Sequence, residues 1–187
     1  AVSTGDDNVA LGYKAGESLT TASKSVVIGT NAGRSQVSNN NVYIGYNTGQ
    51  NITSGTSNVI IGANAQSFGS SSNVFSNVAV GYEALRNGRA NQCTAIGTEA
   101  LRQVTTGHKN TACGFYAGRD TTTGVNNLFL GYNAQPSSAS VSNEITLGDA
   151  NITSLRIPGL QSGATDGQVL TYSSSNGNIT LADAGGG

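Results

Sequence analysis

A short apolar phrase closed by glycine recurs along the chain from Val9 to Gly148. It reads Val9-Ala10-Leu11-Gly12, then Val26-Val27-Ile28-Gly29, Val42-Tyr43-Ile44-Gly45, Val59-Ile60-Ile61-Gly62 and Val78-Ala79-Val80-Gly81. Further copies are Thr94-Ala95-Ile96-Gly97, Thr111-Ala112-Cys113-Gly114, Leu128-Phe129-Leu130-Gly131 and Ile145-Thr146-Leu147-Gly148. Successive glycines stand 17, 16, 17, 19, 16, 17, 17 and 17 residues apart. So even a period predicts a solenoid, in which each repeat buries its apolar face only against its neighbours.

Take each glycine as position zero. Positions −3 and −1 are aliphatic in most copies, and position −2 holds Ala10, Val27, Tyr43, Ile60, Ala79, Ala95, Ala112, Phe129 and Thr146. Two apolar positions separated by one residue are the period-2 signature of a strand. A helix is disfavoured by the β-branched content and the frequent glycine. The expectation is that the −3 and −1 residues fill the coil. The −2 face, also largely apolar, would then be covered by other chains. Polar stretches with Thr-Gly, Ser-Gly and Asn-Gly pairs read as turns, and each unit is read as two short strands joined by such turns. The predicted fold is all-β, a parallel β-solenoid (β-roll or β-helix) of about nine 17-residue coils over residues 1–150, roughly 40 Å long at ordinary strand spacing. Burial of both strand faces predicts a homotrimer with cyclic symmetry. Beyond Gly148 the period fails. Residues 151–187 are expected to form a C-terminal stalk with short strands at Ile152–Ile157 and Gln168–Tyr172, along which three chains intertwine or run side by side.

Composition alone would point elsewhere. With 26 glycines, no Trp, no Met and 10% charged residues, an aperiodic chain would bury too little apolar surface to offset its ordering entropy. The in-phase aliphatic residues tip that balance toward folding, because they stack on one another. A net charge of −1 does not fit a nucleic-acid-coating protein. No apolar run approaches the roughly 20 residues of a membrane span, and no signal peptide is visible. Lacking a starting Met, the chain reads as a processed or excerpted sequence.

The phrase Asn77-Val78-Ala79-Val80-Gly81-Tyr82-Glu83-Ala84-Leu85 resembles the head repeat of trimeric autotransporter adhesins, and more closely the 17-residue repeats of bacteriophage tail fibres. Ser142-Asn143-Glu144-Ile145-Thr146-Leu147-Gly148-Asp149 and Leu155-Arg156-Ile157-Pro158-Gly159-Leu160 resemble the segment that precedes the intramolecular chaperone of tail fibres and tailspikes. Gly163–Tyr172 also resembles phage structural proteins. The resemblance covers nearly the whole chain. It implies a trimeric virion-tail protein, extracellular, with other tail proteins and a host surface polysaccharide or lipopolysaccharide as partners. It implies no membrane insertion, no nucleic acid and no cofactor. The chaperone with its cleavage Ser is not among these residues. Alternatives are a tailspike-type polysaccharide depolymerase and a trimeric bacterial surface adhesin; the lack of a membrane anchor and of coiled-coil heptads disfavours the latter.

The turn glycines Gly12, Gly29, Gly45, Gly62, Gly81, Gly97, Gly114, Gly131 and Gly148 are expected to be structural. The asparagines at −4 (Asn8, Asn41, Asn58, Asn77, Asn110, Asn127) are expected to bond neighbouring coils. Aromatic residues follow the glycine in Tyr13, Tyr46, Tyr82, Phe115 and Tyr132, to pack at a trimer seam or to stack on sugars. Arg86, Arg102 and Arg119 share position +5 and would align about 5 Å apart. Arg89 and Lys109 lie close in sequence. Together with Tyr82, Phe115 and Tyr116 these form the candidate glycan- or anion-binding set, since Arg offers planar bidentate donors. The competing reading pairs Glu83 with Arg86 and Glu99 with Arg102 as surface ion pairs.

Glu83 and Glu99 also meet the spacing of a retaining glycosidase, but neighbouring arginines would keep both ionised where a general acid needs a raised pKa. The chain is therefore read as non-enzymatic. A Thr/Ser ladder at Thr20-Thr21, Thr53-Ser54, Thr105-Thr106 and Thr122-Thr123 allows ice binding, interrupted by Val37 and Ala139. Phe68 and Phe75, in the longest repeat, are expected to be buried, and Cys113 to be a small core residue. His108 stands alone, with no second ligand at metal spacing.

Overall fold

The computed structural model describes residues 4–68, 74–158, 167–172 and 179–183. The fold is a parallel β-solenoid. Its strands are β1 (Val9–Leu11), β2 (Val26–Ile28), β3 (Val42–Ile44), β4 (Val59–Ile61), β5 (Val78–Val80), β6 (Thr94–Ile96), β7 (Thr111–Cys113), β8 (Leu128–Leu130) and β9 (Ile145–Leu147). They stack in chain order as one nine-stranded parallel sheet, and the register puts like position on like: Val26 on Val42, Tyr43 on Ile60, Ile61 on Val80.

Each described coil has one three-residue strand rather than the expected two. The rest is turns, because two positions after each glycine from Gly12 to Gly114, and one after Gly131, lie in the left-handed region. At +2 these are Lys14, Asn31, Asn47, Asn64, Glu83, Glu99, Tyr116 and Asn133; at +4 they are Gly16, Gly33, Gly49, Gln66, Leu85, Leu101 and Gly118. Ala15, Ala32 and Ala100 each donate their N–H to the carbonyl of the phrase glycine three residues back, and a positive φ at the third residue is what such a turn needs. The turn residues also bond from coil to coil, as in Gly33 to Thr48, Leu85 to Ala100 and Leu101 to Ala117.

The facing of the strand is the reverse of the sequence expectation. From β2 to β8 the −2 residue is fully buried, whereas −3 and −1 are half-buried or exposed. The coil is too narrow to hold two aliphatic side chains per strand together with the residues at +3, +4 and +7. Ala32, Ala65, Ala84, Leu85, Ala100, Leu101, Leu19, Ile52 and Val104 already fill it from those positions. Interior volume is shared between rungs. A Cβ added at Gly118 would lie 2.5 Å from Phe129 Cδ2 and 2.7 Å from Leu101 Cδ2. One added at Gly33 would lie 2.7 Å from the Tyr43 ring. Bulky −2 residues therefore follow coils whose +4 is glycine: Val27 after Gly16, Tyr43 after Gly33, Ile60 after Gly49 and Phe129 after Gly118. After Leu85 and Leu101 the −2 residues are Ala95 and Ala112.

Cys113, at −1, is consequently exposed, and Cys93, at −4, is the buried thiol. Phe68 and Phe75 are 54% and 41% exposed, against the expected burial: Val74 takes the core position and the next residue points out. Residues 69–73 of that repeat lie outside the described residues.

The −4 asparagines tie the coils together at both ends of their amides. Asn58 Nδ2 donates to the Val74 carbonyl at 2.8 Å, and its Oδ1 accepts the Asn77 N–H at 3.1 Å. The same pair of bonds recurs at Asn8, Asn41, Asn77, Asn110 and Asn127. A buried carbonyl and a buried N–H in each rung are satisfied this way.

The chain divides into two units, Ala1–Asp149 and Ala150–Gly187. In the second, β10 (Gln168–Tyr172) pairs antiparallel with β11 (Ile179–Asp183). The expected strand at Ile152–Ile157 is absent: this stretch is irregular and exposed.

The phrase glycines have φ between 109° and 141° from Gly12 to Gly131, and they stack backbone on backbone. A Cβ at Gly97 would run into the Gly114 carbonyl. Gly97→Ala is therefore expected to destabilise the protein by at least about 3 kcal/mol, combining backbone strain with the clash. Urea denaturation followed by circular dichroism would measure it, and an unshifted midpoint would contradict this packing.

Candidate functional site

Chemistry on this solenoid is confined to columns, because a residue at one position recurs one strand spacing higher in the next coil. From the second coil the column at +2 is an amide ladder, with Asn31 Nδ2 donating to Asn47 Oδ1 and Asn47 Nδ2 to Asn64 Oδ1. It continues as Glu83 and Glu99, and beside it runs the +5 column of Arg86, Arg102 and Arg119. The two columns interlock. Glu83 Oε2 lies 3.5 Å from Arg86 and 2.7 Å from Arg102 Nε, and Glu99 Oε2 lies 3.7 Å from Arg102 and 3.9 Å from Arg119. Arg119 Nε bonds Asp120 at 3.2 Å. Each glutamate thus reaches one arginine in its own coil and one in the next, which extends the expected pairing within coils to pairing between them.

Rings continue this edge. The Arg86 guanidinium lies 4.0 Å from the Phe68 centroid and that of Arg119 4.7 Å from the Tyr116 centroid, both within cation–π range. Phe115 stacks on Tyr132 with centroids 5.5 Å apart and planes 6° off parallel, and Tyr116 leans on Phe115 at 3.9 Å. Phe115 and Tyr132 are exposed, so they present a flat apolar platform of the kind on which sugar C–H faces can stack. Tyr82 is exposed beside Glu83, whose carboxylate holds the phenol above its ordinary pKa.

Of the sequence-derived set, Tyr82, Arg86, Arg102, Phe115, Tyr116 and Arg119 therefore share one edge. Arg89 does not join them. It stands at +8, exposed, its backbone bonded to Thr105. Lys109 is at −5, on the other side of the strand. There it helps line a groove of about 340 Å³ with Thr111, Asn126, Leu128, Asn143 and Ile145. The −5 column was missed from sequence. Its signal was the run of Asp7, Asn40, Asn126 and Asn143, residue types that tolerate the left-handed conformation found there.

Arg102 links Glu83 and Glu99, bonded to one and within ion-pair distance of the other. Among the described residues no group of three His, Cys, Asp or Glu side chains could hold a metal ion.

Compared with protein-family models, with curated proteins and with solved structures, the chain gives no significant match.

The ladder predicts unequal contributions. Arg119→Ala is expected to change stability by less than about 1 kcal/mol, as for exposed ion pairs. The side chain of Glu83 is only 8% exposed and serves two arginines. Glu83→Ala is expected to cost about 2 kcal/mol, by leaving partly buried charges unpaired. Thermal unfolding of the two variants would test the order.

Proposed function

We propose that this chain is a trimeric fibre module of the tail-fibre kind its sequence resembles, non-enzymatic, which joins other virion proteins and contacts a surface polysaccharide of a bacterial host. Residues 151–187 serve as its stalk. One observation carries the reading: an apolar stripe on the outer face of the sheet, running the height of the solenoid. Leu11 is 66% and Ile145 68% exposed, and Ile96, Leu130 and Leu147 are exposed between and beyond them. Val26, Ile28, Val42, Ile44, Val59, Ile61, Val78 and Val80 continue the stripe at half burial. The +1 aromatics Tyr13, Tyr46, Tyr82, Phe115 and Tyr132 run along its margin, all exposed. Isolated exposed aliphatics need no explanation, but a contiguous stripe of them marks an interaction surface. A flat face repeated at one spacing is complementary to another copy of itself at the same height, which cyclic symmetry supplies. The faces of the expected trimer are thus exchanged relative to the sequence reading, with −3 and −1 toward the axis and −2 within each coil. The aromatic platform at Phe115 and Tyr132 supports the saccharide part of the reading.

Sedimentation is expected to give a trimer, and a folded monomer at micromolar concentration would sink the proposal. Ile96→Asp is expected to dissociate the trimer with the circular dichroism spectrum kept, because the residue points outward. Ala95→Asp is expected to unfold the coil. The native cysteines report the same face: Cys113 is expected to resist alkylation in the trimer and to react in the Ile96→Asp monomer. Burial pushes the Cys93 thiol up to about 11, so it is expected to stay unreactive in both. Saturable binding to envelope polysaccharide, without shortening of the chains, is the expected functional readout.

A further inference from the structure

We propose that the groove on the −5 side of the strand binds an acidic saccharide, with Lys109 pairing the carboxylate and Asn126 and Asn143 bonding the hydroxyls. This deepens the attachment reading and rests on it. The wall is one column: Lys109, Asn126 and Asn143 have φ of 60°, 59° and 63°, so their side chains are presented alike on three successive rungs. Three rungs span about 10 Å at strand spacing, the length of one to two pyranose rings. Asn126 Nδ2 donates to Asn143 Oδ1 at 2.8 Å. That bond orients both amides and leaves Asn126 Oδ1 as an acceptor and Asn143 Nδ2 as a donor, the mixed set that sugar hydroxyls require. Thr111, Leu128 and Ile145, paired in register, line the inner side of the groove, where it meets the apolar stripe.

Charge decides the ligand class. Arg86, Arg102 and Arg119 are taken up by carboxylates of the opposite edge. Among the described residues Lys109 is in none of these pairs, so the groove offers an unneutralised cation beside neutral donors and acceptors. A carboxylated sugar satisfies all three features, and a neutral one leaves the ammonium unused. In a cyclic trimer built on the apolar stripe, this edge of one copy faces the opposite edge of the next. The groove then stands at a seam between copies.

The test is titration of the purified trimer with a glucuronate-containing tetrasaccharide, with a neutral glucose tetrasaccharide as control. Saturable binding of the acidic probe is expected, weakened at least tenfold in Lys109→Gln and several-fold in Asn143→Ala, and unchanged in Arg102→Ala. Equal binding of the neutral probe, or an unchanged Lys109→Gln, would overturn the proposal. So would failure of both probes together with a Lys109→Gln trimer that dissociates more readily, which would assign the groove to the subunit contact. If envelope polysaccharide binds and Lys109→Gln leaves that binding intact, the groove alone is refuted. If wild-type protein binds neither probe nor polysaccharide, the attachment reading falls with it.

Discussion

The contact on which this fold depends is glycine backbone against glycine backbone, one coil above the next. Parallel strands stack at about 4.8 Å, and at the phrase glycine the chain leaves the strand with φ far outside the range of L residues. The carbonyl of the next rung occupies the place of a Cβ. Every rung must therefore leave its strand at the same point and in the same direction. That fixes the register of β1 to β9, and through the register it fixes which residues form columns.

A constant pitch with a variable sequence forces the interior to balance itself locally. The large rings of Tyr43 and Phe129 are accommodated by Gly33, Gly49 and Gly118. Leu85 and Leu101 take the same +4 position with φ of 53° and 51°, a conformation that costs a residue with a Cβ roughly 1–2 kcal/mol. The strain is offset by burial, since both side chains are fully buried and complete burial of a Leu is worth about 1.5–3 kcal/mol. Of the outward strand positions −1 hardly varies: it is aliphatic in every copy but Cys113.

That contrast explains what could be read from the sequence. The period, the parallel solenoid, the columns, the role of the −4 asparagines and the Glu83–Arg86 and Glu99–Arg102 pairs follow from spacing alone, because spacing is what stacking preserves. The inward face did not follow. In the usual half-buried strand the aliphatic positions are the core and the small ones are not, and Ala at −2 in four of the nine copies invited that assignment. The signal against it was variance: a position that ranges from Ala79 to Phe129 must answer to neighbours of changing size, as only a packed interior demands. Cys113, at −1, points outward for the same reason. The −5 column was hidden because its function in the fold is conformational. Asp7, Lys24, Ser57 and Gln92 meet the left-handed requirement as Asn126 does, so no single residue type marks it.

The two edges of the sheet face differ in a way that bears on recognition. At the +2/+5 edge each carboxylate has a guanidinium above or below it, and the rungs satisfy one another. A ligand anion arriving there must displace Glu83 or Glu99 from a contact already made and already partly desolvated, so the number of arginines overstates the affinity available. At the −5 edge the amides satisfy each other only in part, and among the described residues no carboxylate pairs with Lys109. Repetition makes columns self-sufficient wherever complementary residues alternate from rung to rung. The alternation breaks in coils seven to nine on the side of Lys109, where the proposed saccharide groove lies.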